Sequence, residues 1–223
     1  MFFGVLKPIL AKYAIDLPYE YPIFGLLLGA TIFIAAGGYI VNDYFDTKID
    51  QINKPTKVIV GNKISRNAAG IAFQTCFGIG IICGIILALL LSKLNIAILF
   101  AVISGMLWFY SSSYKRIFLL GNLVISICSF LSVFSVGYLA AISLENKYGA
   151  LIYNTSILSE IYGWLAAFGL FAFLFTFIRE VVKDIEDIEG DREMECHSLP
   201  IVLGVNTTKI VLTLVTLIST LVV

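Results

Sequence analysis

The chain has 223 residues, of which 59% are hydrophobic and only 13% charged, with a formal net charge of zero. That charged share is about half the usual value for a soluble domain, and the mean hydropathy is +0.96. Together they exclude an ordinary water-soluble fold and imply a polytopic membrane protein. The balanced charge provides no bulk positive field, so no nucleic-acid partner is expected, and the lipid bilayer is the expected surrounding.

In chain order, Met1–Ile15 is apolar but short and carries Lys7, Pro8 and Lys12, like the tail of a spanning helix. No basic region and cleavable apolar core follow Met1, so no signal peptide is expected. Asp16–Glu20 is a turn. Ile23–Val41 holds nineteen uncharged residues, about 28 Å of helix and enough to cross a membrane. Its Gly29, Gly37 and Gly38 allow close helix contact. A polar, basic loop is expected over Thr47–Arg66, followed by spans at Ala68–Ser92, Ile96–Tyr110, Phe118–Leu144 and Ile157–Val182. A loop is expected at Glu145–Ser156, and a further span begins at Thr207. Seven hydrophobic segments result, the first and last short. The expected fold is all-α, a transmembrane helix bundle.

Two acidic stretches punctuate this pattern. Asn42, Asp43, Asp46 and Asp50 follow directly on the first full span, and on a helix they fall within an arc of roughly 100°. Asp184, Asp187 and Asp191 repeat the spacing of Asp43, Asp46 and Asp50 at the end of another apolar run. Solvated helix ends are the plain alternative, but the recurring spacing and the accompanying Lys and Arg favour a cation between the clusters. Alternating loops place eleven of the fifteen Lys and Arg, and eleven of the fifteen Asp and Glu, on one face. The positive-inside rule makes that face cytoplasmic, in the plasma membrane.

Paired carboxylate clusters suit Mg²⁺, a hard cation that keeps waters and substrate phosphates in its shell. Lys54, Lys57, Lys115, Arg116 and Lys183 lie at the same membrane level, and Mg²⁺ with several cations is equipment for a diphosphate. Tyr39 lies behind Asp43, and Glu180, Phe177 and Phe173 lie behind Asp184 on one helical stripe. A ligand with a diphosphate head and a hydrocarbon tail fits, although packing is the simpler role for most of the phenylalanines. Asp46 and Asp187 are expected to face each other at a wet cavity, so that alanine there spares the fold. The four cysteines form no CxxC pair. A zinc site at Cys196-His197 is disfavoured, because no second Cys/His pair exists.

NDYFDTKIDQINKP and REVVKDIEDIEGD, the latter followed by SLPIVLG, resemble the two signatures of the UbiA superfamily of intramembrane prenyltransferases. Asn42, Asp46 and Asp50 match the first signature. Asp187 and Asp191 match the second, with Lys183 and Asp184 in its flank. Tyr110–Arg116 with Gly121-Asn122 resembles the family's central loop with its Tyr and Lys, although Tyr114 stands where an aliphatic residue is usual. The INKP run, with Gly61 and Ile64-Ser65, most resembles the branch that makes digeranylgeranylglyceryl phosphate, an archaeal-type ether lipid. The resemblance implies nine helices around a central cavity. Against that pattern the single prenyltransferase domain, 1–223, lacks most of the first helix and the last two, and is expected to be incomplete at both termini.

The resemblance also implies a mechanism. Asn42, Asp46 and Asp50 hold one Mg²⁺, and Asp187 and Asp191 hold a second. Lys54, Lys57, Lys115, Arg116, Lys183 and Tyr110 bind the diphosphate, and Asp184 orients the acceptor or a water. The implied partners are a prenyl diphosphate, geranylgeranyl in this branch, and a membrane-borne glycerol-phosphate acceptor. Lys63, Arg66 and Arg192 are expected to meet the acceptor's own phosphate. An aromatic prenyltransferase acting on 4-hydroxybenzoate or another quinone or haem precursor is the nearest rival. A CDP-alcohol phosphotransferase is excluded by the missing DGxxAR signature. A cation transporter with an acidic lining would need ionisable residues near mid-membrane, and here they crowd one face.

Overall fold

The computed structural model describes residues 1–17 and 20–222; the side chains of Lys57, Leu221 and Val222 are also outside the described set. The chain is all-α. A π-helical turn, Phe2–Leu6, leads into α1 (Lys7–Lys12). Then follow α2 (Glu20–Asn53), α3 (Arg66–Leu90), α4 (Leu94–Ser112), α5 (Leu120–Tyr148) and α6 (Ile157–Glu186). The short helices α7 (Ile188–Glu193) and α8 (Leu199–Leu203) precede α9 (Val205–Val222). Among the described residues five helices, α2 to α6, are long and apolar enough to cross a membrane. The first and last of the seven hydrophobic segments form shorter helices.

Helical periodicity accounts for the packing. Ile23, Leu27, Ala30, Ile34, Gly37 and Val41 recur every three or four residues along α2 and are buried, forming one stripe against the bundle. Leu28, Ile71 and Leu89 on other faces are exposed, as lipid-facing residues must be. α2 packs closely on α3 because both present glycine at the contact. A methyl group on Gly80 would lie 2.5 Å from Ile34 Cγ1 and 3.2 Å from the Ala30 carbonyl oxygen. Gly80→Val is therefore expected to force the helices apart and cost about 1–3 kcal/mol. The unfolding midpoint in detergent checks this, with Gly78→Ala, which meets nothing within 4 Å, as the silent control.

The structure corrects several expected boundaries. α2 runs on through the expected Thr47–Arg66 loop as far as Asn53 and stops only before Pro55, which cannot donate to a continuing helix. All of the first acidic motif is thereby helical. The expected Glu145–Ser156 loop begins as helix, because α5 continues to Tyr148. That last turn is held by Asn146 Nδ2 donating to the Leu91 carbonyl at 2.9 Å and Lys147 Nζ donating to the Asp16 carbonyl at 2.8 Å. Gly149, at φ +57, then ends it. The segment Met1–Lys12 is docked rather than loose. Leu6, Ile9 and Leu10 are buried in one cluster with Ile157, Ile161 and Leu165 of α6, and Lys12 pairs with Glu160 at 2.5 Å.

A candidate active site where the two acidic motifs meet

The C-terminal ends of α2, α4 and α6 and the N-terminal end of α5 gather at one end of the bundle, linked by contacts far apart in sequence. Asn42, Asp46 and Asp50 project from α2, within the arc the sequence predicts. The second acidic motif is not one continuous helical face, however. α6 ends at Glu186, Asp187 sits at the junction with φ −97 and ψ 12, and Asp191 belongs to α7. The break turns α7 back towards α2.

Asn53 locks that turn. Its Nδ2 donates to the Asp187 carbonyl at 3.0 Å, and its Oδ1 accepts from the Gly190 amide at 2.8 Å. A side chain at 190 would collide with it, since a Cβ there would lie 2.6 Å from Asn53 Nδ2. Both atoms of one amide thus join the motifs across more than 130 residues. Within INKP, the local signal for this role of Asn53 is its place at a helix end shortly before Pro55.

The acids are paired with lysines. Lys54 Nζ is 2.6 Å from Asp187 Oδ1. Burial opposes the Lys54 ammonium, but the bond to Asp187 and the charges of Asp187 and Asp50 outweigh it and hold its pKa above the ordinary lysine value. Lys115, on a 3₁₀ turn after α4, contacts Asp46 Oδ1. Burial and the neighbouring Lys183 push the Lys115 ammonium down to about 8, against the pull of Cys196 and the Asp191 carboxylate. Gly121 lets this turn sit so close, because a Cβ there would lie 2.6 Å from Lys115 Cα. Asp46 itself is only 7% exposed. The expectation that it stands free at a wet wall is therefore corrected: it is a buried acid held by a largely covered lysine. Asp187 is also largely covered, its side chain 13% exposed.

The remaining expected residues divide. Asp50 lies within electrostatic reach of Asp43, Lys54, Lys183 and Asp187. Asp184 Oδ2 accepts from Asn122 Nδ2 at 2.8 Å, which fixes the carboxylate against α5. Burial, with Asp187 nearby, pushes the Asp191 carboxyl above its usual range. The Arg116 guanidinium has a buried Nε without a partner, while its carbonyl accepts from the His197 amide at 2.9 Å. The side chain of Lys57 lies outside the described residues. Tyr110 donates its hydroxyl to Glu180 Oε2 at 2.9 Å. Among the described residues no three His, Cys, Asp or Glu side chains converge on one point, Cys196 and His197 included.

A cavity of about 250 Å³ leads away from this site between α2, α4, α5 and α6. Asn42, Tyr110 and Lys183 line one end, and Thr31, Ile34 and Phe100 line the other. Asn42 and Thr31 are eleven residues apart on α2, about 16 Å along its axis. Tyr39 lines the cavity as expected, but Phe173 and Phe177 do not. Phe177 packs instead against Val181, Leu199 and Leu212 beside α8 and α9. The cavity face of α6 is polar: Thr176, Arg179, Glu180 and Lys183. Thr176 Oγ1 donates to Ser129 Oγ on α5 at 2.8 Å. The α5 wall carries serines at 129, 132 and 135, every third residue, a signal that the sequence-based expectations did not use. Lys63, Arg66 and Arg192 do not line the cavity; the Arg66 guanidinium lies 4.4 Å over the Tyr44 ring instead.

Fold and site together define a multi-pass membrane protein in which acidic and basic groups converge at one end of an intramembrane cavity. The chain belongs to the UbiA prenyltransferase family, whose model matches residues 5–223. It is 36% identical over 191 residues to digeranylgeranylglyceryl phosphate synthase of Sulfolobus acidocaldarius, covering 85% of this chain and 61% of that protein. It is 35% identical over 204 residues to the synthase of the same name from Saccharolobus solfataricus, covering 87% of this chain and 64% of that one. A solved structure described as "Structural and mechanistic insights into the biosynthesis of Digeranylgeranylglyceryl phosphate synthase in membranes" shares the fold. Its TM-score is 0.56 at 23% identity, over 88% of this chain and 62% of that one. The chain thus spans about three-fifths of the length of these relatives.

Proposed function

We propose that this protein transfers a geranylgeranyl group from its diphosphate to the hydroxyl of a glycerol-phosphate lipid, with Mg²⁺, at the cytoplasmic face of the plasma membrane. The observation that carries the reading is the cavity that runs from Asn42 and Lys183 at the charged site to the apolar interior. It suits a ligand with an anionic head and a hydrocarbon tail. The relatives' shared name supports the lipid acceptor, and the eleven basic residues that loop alternation assigns to the site's face support the cytoplasmic side.

The donor set fits Mg²⁺. Asn42 Oδ1 is buried without a partner, one helical turn before Asp46, and is a hard oxygen ligand in waiting. Mg²⁺ needs only one or two carboxylates beside waters and substrate phosphates, so a cluster of three acids is not required. Asn42, Asp46 and Asp50 would hold one ion and Asp187 and Asp191 a second, and bound Mg²⁺ supplies charge neutralisation for the departing diphosphate. Lys54, Lys115, Arg116 and Lys183 meet the diphosphate oxygens. The lysines now neutralising Asp187 and Asp46 change partner as the anion arrives. Tyr110 supports Glu180 rather than the diphosphate. Enclosure between four helices keeps water from the reactive allylic carbon.

The test is incubation of the full-length protein in detergent with Mg²⁺ and labelled geranylgeranyl diphosphate. Geranylgeranylglyceryl phosphate and 4-hydroxybenzoate are offered side by side at matched concentrations. Label should enter the lipid acceptor, vanish with EDTA and return with added Mg²⁺. Prenylation of 4-hydroxybenzoate alone would reassign the branch, and full activity in EDTA would remove the metal from the site.

A further inference from the structure

One carboxylate of the cavity has no part in holding the metal or the diphosphate. Glu180 lies in a membrane-crossing helix and is only 4% exposed, yet it lines the cavity. An acid at such a position is costly and marks function more often than packing. Its two oxygens are held from opposite sides, Oε2 by the Tyr110 hydroxyl at 2.9 Å and Oε1 by Arg179 Nη2 at 2.5 Å. Arg179 lines the same cavity with its side chain 63% exposed. Glu180 precedes Lys183 and Asp184 by three and four residues on α6. It therefore lies about 4.5 Å further into the membrane than Lys183, which faces the diphosphate. That is the level at which the carbon next to a bound diphosphate must sit.

We propose that Glu180 takes the proton of the acceptor hydroxyl and that Arg179 anchors the acceptor's phosphate; this rests on the prenyl-transfer reading above. In the step, the donor's allylic C–O bond breaks and its electron pair leaves on the diphosphate. The acceptor hydroxyl oxygen supplies a lone pair to that carbon and forms the ether bond. The hydroxyl proton passes to the Glu180 carboxylate and from there to water at the open end. A carboxylate suffices as base, because the oxygen grows acidic as it bonds to a cationic carbon. A glycerol phosphate carries hydroxyl and phosphate on the same three-carbon unit, and neighbouring residues 179 and 180 present the matching cation and anion. Arg179 retains donors for a phosphate while one Nη–H stays on Glu180.

The experiment compares E180Q, E180D and R179Q with wild type, as full-length protein in detergent with Mg²⁺. Geranylgeranylglyceryl phosphate is the acceptor, and donor binding is measured separately with geranylgeranyl diphosphate. E180Q should lose about 100-fold or more in kcat while donor binding stays at the wild-type value. E180D should recover part of that loss, and formate should partly restore an E180A variant, as no structural role predicts. R179Q should raise the acceptor KM about tenfold or more with donor binding unchanged. An active wild type with E180Q within threefold of it overturns the assignment of the base. Donor binding lost in step with kcat overturns it equally, by making Glu180 structural. An unchanged acceptor KM in R179Q overturns the anchor. A wild type silent on this acceptor overturns the functional reading itself, and the proposal with it.

Discussion

Asp46→Ala is expected to lower kcat about 10²- to 10³-fold and, separately, to cost about 3–5 kcal/mol of stability. The two losses have different origins. The first follows from removing a carboxylate beside the orphaned Asn42 oxygen, where charge on the leaving group must be met. The second follows from Lys115, whose side chain is only 13% exposed and which would lose its partner. An ammonium already pushed down to about 8 would be left largely covered, with its direct partner gone and only the charge of Asp191 to offset it. The double variant Asp46→Ala/Lys115→Ala separates the effects. It should recover most of the stability, because no charge is stranded, and none of the activity. Unfolding midpoints and turnover in the same detergent preparations check both. A double variant as unstable as the single would show that packing, not the stranded charge, sets the cost.

Asn53→Ala is expected to lower kcat about 10- to 100-fold, the usual range for groups that orient metal and phosphate ligands. Gly190→Ala should do the same from the other partner, because its methyl group would enter the space of the Asn53 amide. Both changes release one contact, the join that holds Asp187 and Asp191 towards α2. Their effects should therefore not add, and the double variant should be no worse than the poorer single. A double-mutant cycle on kcat, with Mg²⁺ titrated for each variant, measures this. Full additivity would mean that the two residues act separately and that the turn after Asp187 is held by other means.

Much of this protein was legible in its amino-acid order, because membrane spans and helix faces are local properties. An apolar run of nineteen residues at Ile23–Val41 becomes a crossing helix wherever it sits, and Asn42, Asp46 and Asp50 share a face because of helical pitch. The crowding of charge at one end followed from alternating loops alone. Local signals misled where a helix's fate depends on a neighbour. α5 outruns its apolar segment because Asn146 and Lys147 find distant carbonyls. Phe173 and Phe177 share a stripe with Asp184, yet Phe177 faces α8 and α9, since pitch defines the faces of a helix but not which one meets the cavity. The pairings Lys115 with Asp46, Lys54 with Asp187, Tyr110 with Glu180 and Asn53 with Gly190 join residues about 70 to 140 positions apart. No periodicity relates such residues; only the packed arrangement of α2, α4 and α6 brings them within bonding distance, and so only the tertiary structure decided which acid meets which base.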